Sequence, residues 1–316
     1  MRVLITGGFG YLGGRLSNVL KEHKKYEIYL GSRLNSATLH SSSKTNIIQT
    51  QWNKPKTLDE ATHNIDVIVH LAGMNAGDCA ADPIAALEVN AVATANLLKA
   101  AINQRVKRFI YLSTAHVYGS PLTGDIIEES LTNATHPYAT SNLAGEEVVL
   151  AAHAKEEIES VVIRLSNTFG APTQIHANCW MLVVNDLCKQ VVATNSMLLH
   201  SSGQQRRDFI CLSDACRAIQ HLMHIRTTSL SNQIFNVGGD WSPTILEMAQ
   251  YLASRYSLIT GVEPVIRFSG EAGTVESSNP LNYSIKKLKH TGFKLTGHKS
   301  IDHELDALIN FCLISQ

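Results

Sequence analysis

The stretch MRVLITGGFGYLGGRL, Met1–Leu16, decides the reading of the fold. Val3, Leu4 and Ile5 make a short apolar run of the kind a parallel strand buried on both faces carries. Gly7, Gly10 and Gly13 follow in a G-x-x-G-x-x-G spacing, and an amphipathic segment begins at once. Glycine is needed at such a turn because a side chain would stop it tightening, or hold the backbone away from a diphosphate resting on the helix N-terminus. A glycine cluster alone says little. At the first strand-to-helix turn of an alternating chain it marks a dinucleotide site.

The chain outward of this turn does alternate. Strands are expected near 2–6, 27–31, 46–50, 66–71, 107–113 and 160–165, with helices near 11–23, 56–62, 84–104 and 138–154. Asp66–His70 and Arg108–Ser113 are nearly unbroken apolar runs, which suits strands with both faces covered. The expected fold is therefore α/β, a doubly wound parallel sheet of Rossmann type. Beyond Phe169 the pattern becomes mixed: a helix near 178–191, a strand near 196–200, and helices starting at about 213 and 244. This predicts a dinucleotide-binding domain over 1–168, with 206–240 returning to it. A smaller, interleaved C-terminal substrate lid would take 169–205 and 241–316. Ser36–Thr45 reads as a polar loop, and no internal repeat is evident.

Composition narrows the function classes. The 316 residues are 44% hydrophobic, enough for a substantial core. Lys plus Arg equals Asp plus Glu at 27 each, so no overall field favours nucleic acid or an anionic membrane. Six cysteines, Cys79, Cys179, Cys188, Cys211, Cys216 and Cys312, lie scattered without a C-x-x-C pair or a ligand-like spacing with His. That pattern suits reduced thiols and no metal. No apolar run approaches the ~20 residues of a membrane span, and the chain opens directly on a core strand. A cytoplasmic protein is expected.

The end of the second strand bears on cofactor choice. An acidic side chain there accepts hydrogen bonds from the adenosine ribose and repels a 2′-phosphate. The stretch YLGSR, Tyr29–Arg33, has no carboxylate, and Arg33 offers a cation for a phosphate. Within NAD(P), NADP is favoured over NAD; the alternative is that Arg33 is a solvated loop residue.

In order along the chain come the glycine turn, DVIVHLAG, YLSTAHVYG, PYATS, RLSNTFG, RRDFICLSD and FNVGG. With these motifs the sequence resembles the extended short-chain dehydrogenase/reductases, in particular the NAD(P)-dependent nucleotide-sugar epimerase/dehydratase group. The match runs from residue 1 to about 240 and more loosely to the end. The resemblance implies a nucleotide-sugar substrate and a homodimer built from the helices near 84–104 and 138–154. It implies cofactor contacts from Gly7, Phe9, Gly10, Tyr11, Leu12 and Gly13, from Leu71, Ala72 and Gly73, and from Asn90, a helix residue that braces the site. Tyr138 matches the residue that passes a proton to or from a sugar hydroxyl while hydride moves between the same carbon and the cofactor. Thr114 matches the hydroxyl residue beside it, and the spacing to Val117, Tyr118 and Gly119 favours it over Ser113. Asn167 and Arg207 match residues on the sugar-diphosphate side, lining a cleft between domain and lid, Arg207 rather than Arg206 taking the diphosphate. Asp208 and Asp214 read as structural.

Three departures set this chain apart. Where sugar 4,6-dehydratases of the group place an Asp-Glu pair after the active-site hydroxyl residue, this chain has Ala115-His116, which disfavours dehydration by that route. His116 reads either as a proton shuttle or as a histidine packed on the strand. The closing segment EAGTVESSNPLNYSIKKL, Glu271–Leu288, lacks the arginine that often precedes it, unless Arg267 serves. Above all, Asn142 stands where the family carries a lysine four residues after the tyrosine. The amide can hydrogen-bond a ribose hydroxyl, so Asn142 is retained beside Tyr138 among the cofactor and catalytic residues, but it carries no charge. Two functions follow: a keto-sugar reductase or C4 epimerase, or a catalytically silent relative that binds a dinucleotide as a sensor or scaffold.

Overall fold

The apolar run at the start of the chain forms strand β1 (Arg2–Thr6), and Gly10 opens helix α1 (Tyr11–Lys21). In order follow β2 (Glu27–Ser32), β3 (Asn46–Gln49), α2 (Pro55–Thr62), β4 (Val67–His70) and α3 (Ala76–Ala81). A continuous helical run then joins α4 (Pro83–Leu87), one π-helical turn (Glu88–Val92) and α5 (Ala93–Asn103). Next come β5 (Arg108–Thr114), a 3-10 turn (Ala115–Tyr118), β6 (Gly124–Ile126), α6 (Pro137–Ala154), β7 (Glu159–Leu165) and β8 (Asn167–Phe169). The remainder holds α7 (Val183–Thr194), β9 (Ser196–Leu199), β10 (Phe209–Cys211), α8 (Leu212–Leu222), β11 (Ile234–Val237), α9 (Ile245–Thr260), β12 (Val265–Phe268), β13 (Leu281–Tyr283), α10 (Lys286–His290) and α11 (His298–Ile314). The computed structural model describes residues 1–33, 46–225, 233–269 and 279–315. The loop read at Ser36–Thr45 lies outside them, and so does Glu271–Ser278 of the segment Glu271–Leu288.

Seven strands form one sheet in the order β11-β7-β5-β4-β1-β2-β3. β1 pairs in parallel with β2 on one side and β4 on the other, so the winding direction reverses there. Ligands of open α/β sheets bind outside the carboxyl ends of the strands at such a reversal. The register sets Thr6 level with both Gly31 and His70, which brings the glycine turn and the end of β4 to one place. Leu4, Ile68, Phe109 and Val162 from the strands pack with Leu58, Leu97, Ala101 and Val149 from the helices. The run Pro83–Asn103 is, against expectation, long and apolar enough by composition to cross a bilayer. Leu97, Leu98 and Ala101 of this run are buried in this cluster, whereas Ile84, Leu87 and Val92 are exposed.

The chain divides into two compact units. The first comprises Met1–Gly119, Leu131–Arg164 and Ile219–Phe235; the second comprises Ser120–Ser130, Leu165–Ala218 and Asn236–Gln316. Compared with the segments expected from the sequence, 120–130, 165–168, 206–218 and 236–240 fall in the second unit. Strand pairing gives the reason: β6 pairs with β13, and β10 pairs with β8. The core of the second unit is made by α7, α9 and α11, with Leu187, Val191, Met248, Leu252, Leu305 and Leu308 buried together. A reciprocal capping box, Thr244 with Glu247, starts α9, and Gly261 at φ 74° stops it. The helix expected from 178 starts only at Val183, because Leu182 is extended and the residues before it form turns. Two thiols meet in this core, Cys188 donating to Cys312 with 3.9 Å between the sulfurs.

Candidate active site

The glycine turn is close-packed at two of its glycines. Gly7 has φ 67°, and a Cβ on it would stand 2.9 Å from the Ala72 nitrogen and the Leu71 carbonyl carbon. A Cβ on Gly13 would fall 2.2 Å from the Gly7 oxygen. Neither position admits another residue without moving backbone. Gly10 donates to the Gly7 carbonyl at 2.9 Å and caps α1 without any side-chain capping bond. The start of α1 thus follows directly on the carboxyl end of β1, across the tight glycine turn. These features fit a dinucleotide diphosphate: a helix dipole of the right sign, and glycines that keep side chains out of the turn. Leu12 is buried, so its part here is its backbone, whereas Phe9 and Tyr11 keep some surface. The far wall is pinned to β1, with the Leu71 amide on the Thr6 carbonyl at 3.3 Å and the Ala72 amide 3.4 Å from the Thr6 hydroxyl. Gly73 faces Asn90 Oδ1, which a Cβ would meet at 3.0 Å.

At the end of β2, Gly31 is buried against Thr50, whose Cγ2 a Cβ would approach to 3.1 Å. Arg33 is exposed, and its carbonyl accepts from Gln49 at 3.3 Å. Among the described residues of this strand end, Tyr29–Arg33, none is a carboxylate.

Thr114, His116 and Tyr138 come together in the first unit. Strand alternation sends Ser113 and Thr114 to opposite faces of β5. Ser113 is taken by Glu146 in a very short hydrogen bond, which leaves Thr114 as the hydroxyl that bonds the Tyr138 phenol. Thr114 also accepts from the His116 amide at 3.2 Å, turning the chain so that the His116 ring lies edge-on to Tyr138 at 6.2 Å and 68°. Tyr138 sits in the first turn of α6, where Pro137 is preorganised and His136 Nδ1 accepts the Tyr138 amide at 3.1 Å. Packing around the phenol desolvates it and raises its pKa; the Thr114 bond opposes the shift and the Cys79 thiol adds to it. Among the described residues no cation acts on it.

Asn142 shows why. It is 7% exposed, and its Nδ2 donates to the Tyr138 carbonyl at 2.7 Å. Its Oδ1 lies 3.4 Å from the Tyr111 hydroxyl. The amide thus spends one donor and its oxygen inside the protein, and one N–H is left for a ligand. Asn90 is buried in the π-helical turn, accepting the Met74 amide at 2.9 Å and donating to Ser141 at 2.9 Å. It braces the site. Behind Ser113, Glu146 is fully buried and meets Arg164 through its Nη2 at 2.7 Å, an ion pair tying α6 to β7. Burial disfavours the Arg164 charge, but Glu146 more than offsets this and raises its pKa. Arg164 also stacks over Tyr118 at 4.6 Å. Tyr111, Ser141, Glu146 and Arg164 were not singled out from the sequence. Glu146 and Ser141 lie on the tyrosine's own helix, four and one residues from Asn142, but their partners are distant in sequence.

In the second unit, Asn167 donates to the Asp208 carbonyl at 3.0 Å. Arg207 is half-buried, bonds Gln205 at 3.2 Å, and among the described residues pairs with no carboxylate. Desolvation lowers its pKa. Arg206, by contrast, is engaged by the Ser242 carbonyl at 3.0 Å and Glu247 at 3.4 Å. Asp208 is buried with its pKa raised to about 6 by desolvation, and accepts the Gly239 amide at 2.9 Å and the Trp241 amide at 3.3 Å. Asp214 holds Arg217, Thr296 and Ser300. Both aspartates spend their oxygens on contacts within the second unit. Arg267 lies exposed on β12. Among the described residues no group of three or more His, Cys, Asp or Glu is arranged to hold a metal.

A sequence model of the NAD-dependent epimerase/dehydratase family matches residues 3–238. A dTDP-glucose 4,6-dehydratase from Streptomyces niveus is 29% identical over 265 residues, covering 80% of this chain and 76% of its own. Among solved structures, UDP-glucuronic acid 4-epimerase from Bacillus cereus, in complex with a UDP-sugar analogue and NAD, superposes with a TM-score of 0.82 at 21% identity, covering 100% of each chain. RMD from Pseudomonas aeruginosa, complexed with NADPH, superposes at 0.78 with 22% identity, covering 100% of this chain and 99% of its own. The matched span takes in the glycine turn, Thr114, Tyr138, Asn167 and Arg207, and the chain belongs to the NAD-dependent epimerase/dehydratase family.

Proposed function

We propose that the protein is an NAD(P)-dependent oxidoreductase acting on a nucleotide-linked sugar, in which Tyr138 passes the proton and keto-sugar reduction is favoured over C4 epimerisation. The observation that carries this is the Tyr138 phenol. It is held by Thr114, lies beside His116, and has a pKa raised by desolvation with no cation to lower it. Such a phenol is protonated near neutrality and serves as a donor; as a base it is poor, because each unit of pKa is worth about 1.4 kcal/mol. When bound, the nicotinamide supplies or accepts hydride at the sugar carbon. Tyr138 gives the proton that the carbonyl oxygen takes up, and Thr114 holds that oxygen. The reaction named for the Streptomyces relative is not carried over, since Ala115 supplies no acid or base. Initial rates with UDP- and dTDP-linked sugars, in both directions, test the reading: turnover in wild type and none in Tyr138→Phe is expected. Equal turnover in the two proteins would overturn it and point to His116.

On the binding side, we assign Arg207 and Asn167 to the sugar-diphosphate and favour NADP, because Gly31 offers no carboxylate and Arg33 is exposed beside it. Titration of both ligands decides these points together. Arg33→Ala should lose NADP preference, and Arg207→Ala should lose sugar-nucleotide affinity while keeping the dinucleotide. Equal affinity of wild type for NAD and NADP would remove the first assignment, and parallel loss of both ligands in Arg207→Ala the second.

A second reading is favoured by Asn142 alone. With its amide turned onto the Tyr138 carbonyl, the protein would bind a dinucleotide without turnover, as a sensor or scaffold. In that case Tyr138→Phe changes nothing measurable.

A further inference from the structure

Three hydrogen bonds and the single shared proton of Tyr111 close a ring on the backbone carbonyl of Tyr138, entirely within the first unit. Asn142 Nδ2 donates to that carbonyl at 2.7 Å, and Ser141 Oγ donates to it at 3.2 Å. Ser141 Oγ in turn accepts from Asn90 Nδ2 at 2.9 Å. The Tyr111 hydroxyl completes the circuit: it lies 3.2 Å from the Asn90 carbonyl and 3.4 Å from Asn142 Oδ1, and shares its one proton also with the Asn142 carbonyl at 3.3 Å. Space for that hydroxyl exists only because residue 145 is glycine. A Cβ there would stand 2.2 Å from the Tyr111 oxygen and 2.6 Å from the Asn90 carbonyl. Tyr111, Asn90, Ser141 and Asn142 are all buried, so no water competes for these bonds.

We infer that Tyr111 is a positioning residue: through Asn142 and Asn90 it fixes the first turn of α6, and with it the distance of the Tyr138 phenol from Thr114. Tyr111 lies on β5, three residues before Thr114, so the strand that supplies the hydroxyl partner of Tyr138 also sets the backbone of Tyr138. Asn142 then has a purpose of its own. Where the family lysine acts by charge, the amide here acts by holding geometry, and Tyr111 orients it. The inference rests on the proposed role of Tyr138 in proton transfer.

The test is a double-mutant cycle on Tyr111→Phe and Asn142→Ala, read as kcat, KM, cofactor affinity, pH profile and melting temperature. Tyr111→Phe removes one oxygen and no charge. It should lower kcat about tenfold, the equivalent of about 1.4 kcal/mol in the barrier. Cofactor affinity and the position of the alkaline limb in the pH profile should stay unchanged. Because a ring broken once is broken, the double variant should be no worse than Asn142→Ala alone, within about twofold. Wild-type kcat in a folded Tyr111→Phe protein, or strictly multiplicative losses in the double, would overturn the inference. If Tyr111→Phe fails to fold, Ser141→Ala opens the same ring elsewhere and must show the same loss in kcat without loss of cofactor. Full turnover in Tyr138→Phe would instead defeat the underlying reading, whereas a dead Tyr138→Phe beside an unimpaired Tyr111→Phe defeats only the ring.

Discussion

Where the family carries a lysine, Asn142 gives the Tyr138 carbonyl a hydrogen bond and no charge, and in the proposed reaction the favoured direction turns on which effect counts for more. With its pKa raised above the ordinary 10 of a phenol, Tyr138 remains protonated through neutrality. The reductive rate should therefore stay flat across neutral pH and fall only as pH rises past that raised value, where the donor is lost. Asn142→Lys restores a cation four residues along the same helix face. It should move this falling limb to lower pH and speed oxidation relative to reduction, which initial rates across pH in both directions will show. An unmoved limb would mean that the lysine does not reach the phenol. At this scale the motifs were legible as neighbours: Thr114, His116 and Tyr138, named from separate stretches of the sequence, lie together in the fold. Tyr111, Ser141 and Glu146 act through partners, and nothing in a linear motif tells that Tyr111 will face Asn142 or that residue 145 must be glycine.

Between elements, the buried Glu146–Arg164 pair joins α6 to β7, with Ser113 of β5 as third member. Both charges are out of water, so removing one leaves the other unpaired, a cost of about 3–5 kcal/mol. Glu146→Gln should lower stability by that order in urea denaturation, and should disturb Tyr138 as well, since α6 carries both. A variant within about 0.5 kcal/mol of wild type would show the pair to be expendable. The parallel strands were legible because long β-branched runs leave little ambiguity. Short pairings such as β6 with β13 were not, because three residues carry no period and their partner lies far along the chain. Helix α11 was overlooked although Leu305, Leu308, Ile309 and Cys312 are spaced for one buried face. His70 was legible only as a strand residue. In the fold it bridges Thr6 at 2.6 Å and Thr94 at 3.0 Å, with its pKa lowered to about 3 by burial.

For the molecule as a whole, the order of strands and helices in the first unit could be read from alternation, while the return of 219–235 to it could not be bounded without the strand pairings. One surface of that unit bears on assembly. Along the run Pro83–Asn103, Ile84 is 73% exposed, Leu87 45% and Val92 53%, while the opposite side of the run is core. Apolar side chains at such exposure, close together on one helix, contribute little to the unit that carries them and gain by being covered. The homodimer implied by the family resemblance would cover them. We therefore expect the protein to sediment as a dimer, and Ile84→Asp with Val92→Asp to shift it to monomer, since a carboxylate buried against an apolar partner face is costly. The melting temperature at low concentration should change little, because neither side chain packs in the core. A wild-type protein that sediments as a monomer at micromolar concentration would defeat the expectation. A dimer untouched by both substitutions would place the interface on another surface of the chain.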